Sequence, residues 1–454
     1  MKMKGLKLMT KKKNVLFIMT DQQRADSIGP NRVKYADYPN MEKLRSESIA
    51  FDNFFTAASP CVPSRHTFLT GRHPWKAGVS GNAKFSTGNE TTWMSILREY
   101  GYRSVSVGKT HMIHAGSFHI QVPVGNSFGD QDGWNHFEPV ATPESDDNYF
   151  DIHVARRACD ALEKLSTREP FAMFVGFHAP HEPYVMPEKY LDFCRPEDIE
   201  LPDNINSEEY ASKSESFRRR HDHFKKMFGN ISEDMKRKGI AAHYCLLKMI
   251  DDCIGMIKDK LIEQNLLDNT IIIFCADHGD LLGEHGLFNK AATHYDAESR
   301  VPFMIRIPDG SKAGESINHL ASSVDFVPTL FDLMGLTPDV SLPGHSLVPA
   351  MNEGKEIRDY VTLADGNGTM GIRTKEYKLW YNPHHRDGEM YDLVNDPGEM
   401  NNLYNKQEFA KLRSELFELM LHARLIDDDR DNKPTKRDWL LHDEVKASNE
   451  PEVV

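Results

Sequence analysis

The sequence points to an α/β protein, with a large, mostly parallel sheet sandwiched by helices and a smaller antiparallel subdomain at the C-terminal end. Through most of the chain, short apolar runs alternate with stretches of helical periodicity, the arrangement of a sheet whose strands are joined by crossover helices. The apolar runs are continuous rather than alternating, as in strands covered on both faces. Beyond about Tyr360 the pattern shortens into strand-like segments broken by turns.

The buried strands are expected at residues 14–20, 103–108, 171–177, 270–276 and 302–307, each rich in Val, Ile, Phe or Met and bounded by polar residues, Gly or Pro. Helical periodicity falls at 41–49, 91–99, 152–165, 240–263 and 324–334. The charged stretch 190–237, which includes Arg218-Arg219-Arg220, reads as a solvated insertion. Residues 371–380 and 389–393 flank the turn-rich Asn382-Pro383-His384-His385-Arg386-Asp387-Gly388 and predict the small antiparallel sheet. The expected division is a catalytic α/β domain over 1–355 and a C-terminal subdomain over 356–454, with a charged tail after Ile426.

Composition narrows the class. A chain of 454 residues with 39% hydrophobic and 27% charged residues can bury a large core without disulfides. Its net charge of -13 argues against a long nucleic-acid or anionic-lipid footprint, so an anionic substrate has to be attracted locally. The six cysteines include no CxxC pair, which argues against a zinc ribbon and for reduced core residues. Apolar runs such as 271–276 fall far short of the roughly 20 residues a membrane span needs. Neither nucleic acid nor membrane is therefore an expected partner. The apolar residues 15–19 behind the basic start are too few for a signal-peptide core. The expected location is cytoplasmic, or periplasmic or secreted where a leader has been removed.

In open α/β sheets ligands bind beyond the carboxyl ends of the strands. Here those ends carry Thr20-Asp21-Gln22, Gly108-Lys109-Thr110-His111, His178-Ala179-Pro180-His181 and Asp277-His278-Gly279-Asp280. Acids, a lysine and imidazoles at four strand ends converge on a catalytic site.

The most informative motif is Cys61-Val62-Pro63-Ser64-Arg65, continuing through Leu69-Thr70-Gly71-Arg72. C-x-P-S-R followed by x4-T-G resembles the signature of the type I, formylglycine-dependent sulfatases of the alkaline phosphatase superfamily. The likeness runs from Asn14 to about Tyr404 and takes in 286–302, Gly371-Ile372-Arg373-Thr374-Lys375 and Asp396-Pro397-Gly398-Glu399. It implies that a separate maturation enzyme oxidises Cys61 to formylglycine, whose hydrated aldehyde is the nucleophile. A hydrate has two hydroxyls, one to attack sulfur and one to lose a proton and expel sulfate; a serine or cysteine could not perform that second step.

The resemblance also implies one divalent cation held by Asp21, Gln22, Asp277, His278 and the residue at Cys61. Carboxylates and an amide oxygen suit calcium, the first expectation, whereas an imidazole ligand suits manganese, the second. Many arylsulfatases carry Asp-Asp and Asp-Asn at these places. Asp-Gln with Asp-His is instead similar to the pattern of phosphonate monoester hydrolases and of some other sulfatases. By the same resemblance Arg65 and Lys109 hold nucleophile and sulfate, and His111 takes the proton from the second hydroxyl. His178 with Lys290 protonates the leaving alcohol, and His181 positions substrate or caps the loop. His66 follows the signature arginine without an account beyond local packing.

The expected activity is hydrolysis of a sulfate monoester, either a small molecule or, as the substrate class favoured here, a sulfated carbohydrate. Arg218 to Arg220 and His384, His385 and Arg386 are candidate contacts for an acidic sugar. Two other functions compete: a phosphonate monoester hydrolase or phosphodiesterase using the same clamps, and a catalytically silent binder of sulfated glycans. The full set of Cys61, Arg65, Lys109, His111, His178 and Lys290 argues against the silent binder.

Overall fold

A computed structural model describes residues 12–431, except 36, 80, 83–89, 112–119, 123–138, 142–148, 166–168, 205–207, 292, 339 and 365–367. The tail expected after Ile426 thus lies largely outside the described residues. The strands are β1 (Asn14–Asp21), β2 (Ile49–Phe51), β3 (Phe54–Phe55), β4 (Arg103–Gly108), β5 (Ile120–Val122), β6 (Val140–Ala141), β7 (Phe171–Pro180) and β8 (Val185–Met186). They continue with β9 (Thr270–Ala276), β10 (Phe303–Arg306), β11 (Ser316–Ile317), β12 (Ala321–Ser322), β13 (Tyr360–Ala364), β14 (Met370–Thr374), β15 (Tyr377–Asn382) and β16 (Asp387–Asp392). The helices are α1 (Pro39–Ser46), α2 (Cys61–Thr70), α3 (Trp93–Glu99), α4 (Phe150–Lys164), α5 (Glu215–Phe228), α6 (Glu233–Glu263), α7 (Asp296–Ser299), α8 (Phe326–Met334), α9 (Val348–Glu353) and α10 (Ala410–Asp431).

The main sheet has eight strands in the order β11-β2-β10-β9-β1-β7-β4-β5. Its centre, β9-β1-β7-β4, is parallel. The strand period of two divides each apolar run between two cores. Val15, Phe17 and Met19 face one side with α2, α3, α8 and α9, while Leu16 and Ile18 face the other with α1, α4 and α6. That double coverage is why the runs read as continuous. A second, four-stranded antiparallel sheet, β13-β14-β15-β16, packs on α10 through Ile372, Leu379, Met390 and Leu416.

Three expectations need correcting. The run at 302–307 forms β10, but it is antiparallel to β9, because 277–302 contains only the short α7 and a 3-10 turn and returns at the same end of the sheet. The helix expected at 41–49 ends at Ser46, and Ile49 opens β2. The stretch 190–237 is not merely solvated: Lys213, Ser216 and Phe217 are buried, and α5 is bolted to the C-terminal sheet. The backbone N–H groups of Ser214 and Ser216 donate to Glu389 Oε1 and Asp387 Oδ2, each at 2.8 Å, and so join segments more than a hundred residues apart.

Strands β4 and β7 approach so closely that a Cβ on Gly176 would lie 2.0 Å from the carbonyl oxygen of Lys109. That carbonyl accepts from Arg65 Nη1 at 2.7 Å, and the Lys109 N–H donates to the Gly176 carbonyl at 2.8 Å. We therefore expect Gly176→Ala to destabilise the fold by about 3 kcal/mol, measured as a lowered denaturant midpoint. An unchanged midpoint would show that the strands separate without cost.

Candidate active site

Each cluster picked out at a strand end reaches one place. Asp21 ends β1, and Gln22 follows with φ +70°, so its backbone N–H turns back to Asp277 Oδ1 at 3.0 Å. Cys61 is the first residue of α2, and Pro63 sits in the first turn, where its missing N–H costs no helical bond. Gly71, with φ +72°, terminates the helix in the left-handed conformation that glycine adopts without strain. Ser64 Oγ fastens the helix to β9 by donating to the Asp277 carbonyl at 2.5 Å.

Arg65 lies one helical turn beyond Cys61 and so shares its face. It is fully buried, with Nε 2.8 Å from Asp277 Oδ2 and Nη2 2.9 Å from Asp21 Oδ2. Lys109 Nζ reaches the same Asp21 oxygen at 2.7 Å. Burial raises the Asp21 pKa, but Lys109 and Arg65 outweigh it and hold the carboxyl well below the usual range. Asp277, which faces Asp21, is displaced upward by burial and that neighbour.

The Cys61 Sγ lies 3.2 Å from His278 Nε2 and 3.8 Å from Asp21 Oδ1. His111, with φ +53°, hydrogen-bonds the same sulfur, and its Nδ1 is buried without a partner among the described residues. Burial and Asp21 push the thiol pKa up, yet Lys290, His278 and the bond to His111 draw it well below its ordinary value. Asn82, which sequence reading missed, accepts from the Val62 N–H at 3.1 Å and lies 4.0 Å from the sulfur. No periodicity or motif marks it. His66 is explained: it is buried and bonds the Glu90 carboxylate.

Ligand atoms of Asp21, Cys61, Asp277 and His278 all lie within 4.8 Å of one another and are buried. His278 Nδ1–H donates to the Gly279 carbonyl at 2.8 Å, which leaves the Nε2 lone pair facing the carboxylates. Burial disfavours its charged form, but Asp277 and Cys61 push its pKa up to about 9, the mark of concentrated negative charge that a bound cation would neutralise in the proton's place, freeing Nε2 as a ligand. Two carboxylates, an oriented imidazole and the atom at position 61, where formylglycine would present oxygen in place of sulfur, fit a divalent ion. The Gln22 side chain, expected as a further ligand, is engaged by its neighbours. Its Oε1 accepts from Lys290 Nζ at 3.1 Å, and its Nε2 lies 2.7 Å from Asp280 Oδ2 and 2.9 Å from Glu182 Oε2.

The two histidines at the end of β7 are sorted by their partners, and not as expected. Lys290 Nζ donates to His181 Nε2 at 2.7 Å, whereas His178 Nδ1 accepts from Lys109 Nζ at 3.3 Å. The second nitrogen of His178 bonds the Glu182 carbonyl at 3.3 Å. Burial, then Lys109, push the His178 pKa down to about 3, so the ring is neutral with both nitrogens engaged. Asp151, also missed, receives the backbone N–H of His178 at 2.6 Å and of Ala179 at 3.2 Å. Burial pushes its pKa up to about 7. The expected pairing of His178 with Lys290 is thus replaced by a His181–Lys290 pair, because His178 belongs to β7 itself and His181 to the turn beyond it.

A buried nucleophile position at a helix start, a cation cluster and two lysines at the carboxyl edge of a parallel sheet define an oxyanion-handling hydrolase. The sulfatase family model matches residues 13–336, and the model described as the C-terminal part of N-sulphoglucosamine sulphohydrolase matches residues 283–425. The chain belongs to the sulfatase family and is a sulfuric ester hydrolase. It is 27% identical to an N-acetylglucosamine-6-O-sulfatase of Bacteroides thetaiotaomicron, over 95% of this chain and 89% of that protein. Its fold is shared with a protein solved in complex with its substrate D-glucosamine-2-N,6-O-disulfate, with TM-score 0.78 and 24% identity over 93% of this chain and 100% of the other. It is shared too with the phosphonate monoester hydrolase of Agrobacterium radiobacter, with TM-score 0.81 and 23% identity over 92% and 96%.

Proposed function

We propose that the chain hydrolyses the sulfate monoester of a carbohydrate through a formylglycine made from Cys61, and that Asp21, Asp277 and His278 hold one divalent cation beside it. The observation that carries this reading is the meeting of Cys61 with those three ligands inside one 4.8 Å cluster, although they lie up to 257 positions apart in the chain. A bound cation neutralises sulfate oxygen and favours the ionised nucleophile. The carboxylates of Asp21 and Asp277 favour calcium, and the imidazole of His278 makes manganese the competitor. The sugar sulfatases among its relatives support the carbohydrate.

The chain's own groups then divide the work. Arg65 holds Asp21 and Asp277 in place against their mutual repulsion. Lys109 and Lys290 offer point charges to the sulfate. His111, bonded to position 61, takes the proton when the covalent sulfate ester collapses. His181, fed by Lys290 through the 2.7 Å contact, gives a proton to the departing alcohol oxygen. His178 is the positioning residue for Lys109.

Protein from a host with maturation machinery is expected to show the Cys61 peptide with hydrogen sulfide lost and oxygen gained, and to release sulfate from a sulfated saccharide. Removal of metal by a chelator is expected to abolish turnover, with calcium or manganese restoring it. Full conversion of Cys61 without sulfate release from any saccharide would refute the carbohydrate assignment. A second reading, hydrolysis of phosphonate monoesters, is favoured by one feature, the imidazole of His278 among the ligands.

A further inference from the structure

Beside Lys290 opens a cavity of about 1040 Å³, at the upper end of the range for small-molecule sites and larger than one sugar ring needs. Its walls bring together two charged clusters that are far apart in sequence. Helix α5 presents Arg219, Arg220 and His223, and the turn between β15 and β16 presents His384 and His385. Among the described residues Glu182 is the one carboxylate in the lining, and it is already engaged by His181 and Gln22. Arg219 Nε is ion-paired with Glu215 Oε1 at 2.8 Å, so the remaining guanidinium N–H groups of Arg219, with Arg220, Lys290 and the imidazoles, make up the cationic side of the cavity in a chain of net charge -13. Phe224, Phe228 and Phe288 add an apolar wall, with Phe224 stacked on Phe288 at 6.5 Å and 10°.

The walls are fixed to each other and to the reactive end. Asp387, in the β15–β16 hairpin, accepts from Ser216 N–H at 2.8 Å and from its Oγ at 2.7 Å, while Asn382 Nδ2 donates to the same Oγ at 2.9 Å. Lys213, just before α5, donates to Tyr391 Oη at 2.9 Å and to the Glu399 carbonyl at 2.8 Å. Arg220 donates to the Ala291 carbonyl, next to Lys290. A cavity so braced spends little affinity on ordering its charges when a ligand enters.

We propose that this cavity binds the alcohol part of the ester and takes, besides the sulfate at Lys290, a second anionic group, so that the substrate is an acidic saccharide of at least two rings. The proposal rests on the sulfatase reading of the adjoining site. Arg219 and His384 grip the second anion, a carboxylate or a second sulfate, while the phenylalanine wall packs a sugar's C–H face.

Calorimetry on Cys61→Ala protein, which holds ligands without consuming them, tests this with three sulfated disaccharides: otherwise neutral, bearing a carboxylate, or bearing a second sulfate. At least one acidic ligand is expected to bind about tenfold tighter than the neutral one, and which of the two does so names the anion. The preference should vanish in protein that also carries Arg219→Ala and His384→Ala, with the melting temperature unchanged. Equal affinity for all three, or a preference that survives both substitutions, overturns the proposal. Turnover of an aryl sulfate by the matured wild type tells the two failures apart. If sulfate is released without any acidic preference, only this inference falls; a preference without release sinks the sulfatase reading.

Discussion

Cys61→Ala lowers turnover of a sulfate ester by about 10⁴-fold or more, because no other group at the site replaces the nucleophile. Cys61→Ser is the sharper variant. A serine hydroxyl at the start of α2 still faces His278 and the carboxylates and can displace the alcohol once, forming an O-sulfoserine and releasing one alcohol. With a single oxygen on that carbon there is no second hydroxyl to expel sulfate. The expected outcome is one equivalent of alcohol per active site, followed by arrest, with the sulfated peptide visible by mass. Continuous turnover by the serine variant would show that water attacks the intermediate and that a hydrate is unnecessary.

His181→Ala lowers kcat for an unactivated sugar sulfate by about 10² to 10⁴-fold, the usual worth of a general acid, and lowers it far less for an aryl sulfate whose phenolate departs unaided. Lys290→Ala adds to the same leaving-group dependence, through the 2.7 Å contact of its ammonium with the imidazole, a loss on both substrates from the missing sulfate contact. His178→Ala acts through Lys109 and depresses both substrates alike. Reversal of the two histidine phenotypes would return the acid to His178.

Which of these residues the sequence discloses follows from how local their signals are. Asp21, Lys109, His111, Asp277 and His278 sit within three residues of an apolar strand's end, so a period and a topological rule find them. Cys61 and Arg65 come with their own motif and share a helix face through spacing alone. The sorting of His178 from His181 depends on which side chain Lys290 meets, and nothing in His-Ala-Pro-His encodes that. Asn82, Asp151 and Glu182 were invisible because their contacts join segments with no shared pattern. The antiparallel run of β10 followed from a missing crossover helix, a topological fact that composition does not carry. Arg219 and His384 are both candidate contacts for an acidic sugar in the sequence, but only folding places them across one cavity.

Sulfate and phosphonate esters present similar oxyanions to the same clamps, so the chemistry at sulfur has to be measured against its competitor. Protein with Cys61 fully converted, by peptide mass, should be assayed side by side on an aryl sulfate and an aryl phosphonate monoester bearing the same phenol. A kcat/KM at least about tenfold higher on the sulfate is predicted, a difference near 1.4 kcal/mol in transition-state binding. A higher value on the phosphonate would contradict the assignment and make the imidazole of His278 the mark of a phosphonate hydrolase.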